Sequence, residues 1–80
     1  MNASDRYDEI FMNLFQVSKD ELAGLQYQGV KAWDSVGHMN LITELEQEYD
    51  IMMDTDDVID LSSYSEGKRI LRENYDVEID

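Results

Sequence analysis

Reactive side chains in this 80-residue chain converge on one serine, within the segment Trp33-Asp34-Ser35-Val36-Gly37-His38. His38 follows Ser35 by three residues, so on a helix the two lie one turn apart. A hydroxyl so placed can cap the helix, attack a carbonyl with histidine as its base, or carry a covalent group. The hydrolytic use is disfavoured, because His38 is the chain's one histidine and a pair on a single helix has no evident oxyanion site. His38 is therefore expected at the surface, beside whatever Ser35 carries. On the residues alone, a Ser after Asp before an apolar helix reads most simply as an ordinary N-cap pair, though electrostatics is compatible with a carrying role. A serine in the first turn lies next to backbone N–H groups without intrahelical partners, at the positive end of the helix dipole, and a phosphodiester attached there is stabilised.

Other clusters are weaker. Asp54, Asp56, Asp57 and Asp60 begin like a calcium-binding loop, but Val58 and Ile59 stand where such a loop needs an oxygen ligand and its glycine. No metal site is expected. Cysteine is absent, so the chain has no disulfide, no thiolate metal ligand and no thiol nucleophile of its own. Any thiol chemistry must be imported. Six Lys and Arg against 19 Asp and Glu leave a net charge of −13, which repels a phosphate backbone and excludes nucleic acid as a partner. Between Lys31 and Lys68 there is no Lys or Arg but ten acidic residues, from Asp34 to Glu66. Such a one-signed face either keeps a small protein in solution or steers a basic partner toward it.

These residues need a scaffold, and the apolar spacing supplies one. Tyr7, Ile10, Phe11, Leu14 and Phe15 make a helical stripe, predicting a helix over about residues 4 to 16 with Ser4 as N-cap. Ser18 and Glu21 have capping-box spacing, but Gly24 and Gly29 follow, so a long loop with one short turn is expected. Val36, Met39, Leu41, Ile42, Leu45 and Tyr49 predict an apolar helix face over residues 35 to 50, capped by Asp34 or Ser35. Residues 54 to 60 allow a short helix anchored inward by Val58, Ile59 and Leu61. Ser63 and Glu66 form a second capping-box pattern, opening a last helix through Ile70, Leu71 and Tyr75 that ends near Asp76. Apolar and polar residues alternate only at 76–80, so strands are not expected elsewhere. The fold class is all-α: a small four-helix bundle, three longer helices and one short, forming one domain over 1–80. At 9.4 kDa such a domain exposes roughly 5,000 Å².

The segment WDSVGHMNLITELEQEYDI resembles the signature of acyl carrier proteins, whose common core is Asp-Ser-Leu. The likeness covers nearly the whole chain: the Ile10, Phe11 and Leu14 stripe, the long first loop, the helix after the serine, the short third helix and the last one. The resemblance implies that Ser35 carries a 4′-phosphopantetheine arm, transferred from coenzyme A by a phosphopantetheinyl transferase and joined through a phosphodiester. An acyl group then rides on the arm's terminal thiol as a thioester. Asp34 and Val36 flank the attachment point. The chain would be no enzyme but a carrier presented to acyl-loading and acyl-transferring enzymes with basic docking patches, which would contact Val36, Met39, Asn40, Thr43, Glu46 and Gln47.

Departures from the family's fatty-acid members point to a specialised pathway. Gly37 and His38 stand where those members usually have an acidic residue and a Thr or similar side chain, and Asn40, Thr43 and Gln47 stand where they tend to show Glu, Met and Glu. A dedicated partner set is implied. Fatty acyl, polyketide, hydroxyacyl, aminoacyl and peptidyl carriers share the attachment serine, so the cargo stays open. From a different class, an unmodified acidic helical adaptor fits the same charge pattern.

Neighbouring residues have structural readings too. Trp33 is either a partner contact or, as favoured here, the plug that fastens the loop to the bundle. Met39, Met52 and Met53 either line an adaptable apolar cavity or fill gaps in the core. Gly37 costs a helix about 1 kcal/mol relative to Ala, read as slack or as room beside the arm. No apolar run approaches the length of about 20 residues needed to span a bilayer, and MNASDRYDEI lacks the features of a secretory leader. A cytoplasmic monomer is expected, since the net charge of −13 opposes self-association.

Overall fold

A computed structural model describes residues 2–79 as an all-helical bundle. The elements are α1 (Ala3–Phe15), a 3-10 turn (Lys19–Gly24), α2 (Ser35–Tyr49), α3 (Thr55–Asp60) and α4 (Tyr64–Asn74). Among the described residues there is no strand, although Gln26 and Ser63 form an isolated antiparallel bridge. The alternation at 76–79 makes none, and Asp80 lies outside the described residues. The accessible surface is 4938 Å², and one buried cluster from Tyr7 to Ile79 joins all the longer helices.

In α1 the expected stripe is the core face: Tyr7, Phe11 and Phe15 are buried, while Ile10 and Leu14 pack at its edge. Its cap is Asn2, not Ser4. The Asn2 side-chain oxygen accepts the Asp5 N–H at 2.9 Å, a role Asn fills as well as Ser. Asp8 is unexpectedly buried; it accepts the Tyr64 hydroxyl, while the Tyr7 hydroxyl donates to the Tyr64 carbonyl at 2.6 Å. Burial, reinforced by Asp8, pushes the Tyr64 phenol far above its usual range. That phenol stays protonated. Its proton satisfies the one carboxylate in the core.

The long first loop is pinned at several points. In its short turn, the Ser18 N–H and hydroxyl both donate to the Glu21 carboxylate at 3.0 Å, holding that carboxyl below its usual range. Farther on, the Tyr27 N–H donates to the Ser62 carbonyl at 2.9 Å and the Gln28 N–H to the Trp33 carbonyl at 2.9 Å. Trp33 is fully buried, stacked on Phe15 at a centroid distance of 4.9 Å and edge-on to Phe11 at 5.5 Å. It is the plug, and it brings the loop down onto the start of α2.

Helix α2 buries Leu41, Ile42 and Leu45, with Tyr49 half-buried, but Val36 and Met39 are 70% and 54% exposed. The angular step explains this correction. At about 100° per residue, the buried set with Tyr49 spans an arc of about 100°, and Val36 falls on the opposite side of the helix. Met52 is 87% exposed and Met53 packs at the core's edge, so the methionines line no common cavity. In α3, Leu61 at the C-cap is buried and Val58 half-buried, but Ile59 is 70% exposed, because a six-residue helix has one inward side. Ser63 caps α4 by accepting the Glu66 N–H at 3.0 Å. The second half of the expected box is missing, as the Glu66 carboxylate pairs with Arg69 instead. The helix closes at Asn74, short of Asp76.

Candidate functional site

Asp34 alone caps α2: its carboxylate accepts the Gly37 N–H at 2.8 Å, and its carbonyl accepts the His38 N–H at 2.8 Å. Ser35 is thereby released from capping. It is the first helical residue, it is exposed, and its Oγ lies 3.2 Å from the Tyr27 hydroxyl. By position its N–H and that of Val36 have no intrahelical acceptor and point out of the N-terminal end of the helix. An anionic substituent on Ser35 would meet those groups and the positive end of the dipole.

His38 is half-buried rather than lying free on the surface. Its Nδ1 accepts the Trp33 Nε1–H at 3.0 Å and its Nε2 lies 2.8 Å from the Val58 carbonyl oxygen. The tryptophan nitrogen can only donate, so Nδ1 must be the bare nitrogen and Nε2–H donates to Val58. Both nitrogens are committed, and neither is available as a base for Ser35. The ring ties the loop, α2 and α3 together.

Gly37 also has a definite reason. A Cβ there would collide with the Ala32 carbonyl oxygen, so neither slack nor room for an arm explains the residue. Only a bare backbone lets the loop approach the first turn of α2. Next to this approach a cleft of about 230 Å³ opens, lined by Tyr27, His38, Val58, Ile59, Leu61 and Ser62.

The expected contact residues divide in two. Val36, Met39, Asn40, Thr43 and Gln47 are all exposed, and the same step of about 100° per residue puts them in a single solvent-facing arc. The Thr43 hydroxyl donates to the Met39 carbonyl at 3.0 Å within the helix. Glu46 is different: it is half-buried, and its carboxylate accepts the Met53 N–H at 2.9 Å, so it holds the α2–α3 loop. Besides Asp34 in its cap, three other members of the acidic run are likewise engaged. Glu48 pairs with Arg6 at 2.9 Å, Glu66 pairs with Arg69, and Asp57 accepts from the Tyr75 hydroxyl at 2.6 Å and the Asn74 amide at 2.9 Å. Asp34, Glu44, Asp50, Asp54, Asp56 and Asp60 keep the surface negative.

Tyr27 is the site residue that sequence reasoning missed. It precedes Ser35 by eight residues in an irregular loop, and no periodicity or motif links the two. Among the described residues no helix is long and apolar enough to cross a membrane, and no three His, Cys, Asp or Glu side chains group as a metal site would require. No family model, curated protein or solved structure matches the chain.

Proposed function

We propose that this protein is an acyl carrier: Ser35 bears a 4′-phosphopantetheine arm, and partner enzymes load, alter and remove an acyl group held on that arm as a thioester. The observation that carries the reading is the exposed Ser35 hydroxyl at the head of α2, in an Asp-Ser-Val core, with the nearby histidine committed elsewhere. A hydroxyl without its own base suits a residue modified by another enzyme, not a nucleophile working alone. The solvent arc of Val36, Met39, Asn40, Thr43 and Gln47 offers the partners an apolar and polar contact strip beside the arm. Exposed carboxylates around it would draw basic docking patches. The chain contributes location and a flexible tether that raises effective concentration, and it has no cysteine to compete for the thioester. The proposal includes a cytoplasmic monomer and leaves an aminoacyl cargo open, because the attachment chemistry is the same.

Co-expression with a phosphopantetheinyl transferase followed by intact-mass measurement tests it. Wild type should gain one phosphopantetheine, and Ser35→Ala none. A bare wild type, or the same gain on Ser35→Ala, would end the reading. An unmodified protein that still captured a basic partner would then be an adaptor.

A further inference from the structure

The Tyr27 hydroxyl lies 3.2 Å from Ser35 Oγ, and everything around it holds it there. The Tyr27 ring stands edge-on to His38 at 5.4 Å and to Trp33 at 6.4 Å. Its N–H is fixed to the Ser62 carbonyl at 2.9 Å. The next residue, Gln28, has a φ of 63°, in the left-handed region that a long side chain rarely adopts. Such a conformation persists where surrounding contacts over-determine it, here through the Gln28 N–H bond to Trp33 and the Trp33 N–H bond to the Val30 carbonyl. The phenol is thus preset on the serine by contacts from its own loop, from α2 and from the link between α3 and α4.

We propose that Tyr27 is a positioning residue for the group fastened to Ser35, an inference that rests on the carrier reading. In the transfer step Ser35 Oγ forms a bond to the pantetheine-side phosphorus of coenzyme A. The bond from that phosphorus to the adenosine bisphosphate half breaks, and that half leaves with the electron pair. The serine proton passes to a general base of the transferase. During attack the Tyr27 O–H donates to Oγ and fixes the direction of its remaining lone pair. Afterwards the same O–H donates to a non-bridging oxygen of the phosphodiester and sets the angle at which the arm leaves the surface.

The test compares wild type with Tyr27→Phe, which keeps the ring packing and removes only the hydroxyl. Both are modified with coenzyme A by a broad-specificity phosphopantetheinyl transferase, and the products are examined by phosphorus NMR. Loss of one net hydrogen bond should lower kcat for modification about three- to tenfold, with KM for the carrier unchanged. It should also move the phosphodiester resonance. In wild type alone, the carbon resonance next to the Tyr27 oxygen should shift on modification. A role in folding alone moves neither resonance. Wild type that is modified, with a variant matching it in kcat and in phosphorus shift, overturns the role of Tyr27 and leaves the carrier reading standing. Wild type that is never modified overturns both.

Discussion

Ser35 is left out of the helix cap because Asp34 does the capping, and this division of labour predicts opposite outcomes for neighbouring substitutions. Ser35→Ala should change stability by less than about 0.5 kcal/mol, as expected of an exposed side chain whose hydrogen bond, to the Tyr27 hydroxyl, is itself exposed. Asp34→Ala should cost about 1 kcal/mol by removing the acceptor for the Gly37 N–H. Urea unfolding of the pair measures both. Gly37 offers a test in which two effects disagree in sign. Helix propensity alone gives Gly37→Ala a gain of about 1 kcal/mol. The clash with the Ala32 carbonyl is with backbone, which yields only by a shift of loop or helix, and such overpacking costs typically 1–3 kcal/mol. The steric effect should win, so Gly37→Ala is expected to be less stable than wild type by denaturant titration. A gain would show that the loop does not bear on α2 as described.

The helices follow from local spacing, which is why the positions of α1, α2 and α4 were legible in the sequence to within about two residues. Their contacts with the loop were not. His38 read as a surface residue because its partners, Trp33 and Val58, meet it only after the loop and α3 fold back onto the start of α2. Tyr27 was invisible for the same reason. The roles of Glu46 and Asp57 were hidden inside a run of like charges, since nothing local separates a carboxylate that accepts the Met53 N–H from one in water. Apolar type alone puts Val36 and Met39 on one face with Leu41, Ile42, Leu45 and Tyr49, whereas the family resemblance puts them among the contact positions; counting their angle around α2 places them outside. His38→Phe tests the tie between these elements. It keeps a ring but loses both hydrogen bonds and leaves the Trp33 N–H buried without an acceptor, so about 2–3 kcal/mol should be lost. Proteolysis of the variant should begin near α3, the element that His38 secures.

Across the molecule, the tyrosines that join α1 to its neighbours set an upper pH limit. The Tyr49 hydroxyl donates to the Ala3 carbonyl at 2.7 Å, and burial first, then Glu48, pushes its pKa up to about 12 from an ordinary 10.0. Tyr7 and Tyr64 are raised in the same direction, chiefly by burial. A raised pKa favours the protonated form in the folded state, so this stability is complete below pH 10 and is lost as pH rises toward 12 and beyond. The thermal midpoint should fall steeply across that window, and Tyr49→Phe should fall less steeply while being about 1 kcal/mol less stable at neutral pH. None of this involves Ser35, which the fold leaves exposed at the head of α2 beside a negatively charged surface. The decisive measurement is therefore mass spectrometry of the peptide containing Ser35, from protein purified out of its own cells. The carrier account predicts a phosphopantetheine on that serine, bare or bearing a thioester. A serine found unmodified in every preparation, with transferase and coenzyme A present in those cells, would contradict it.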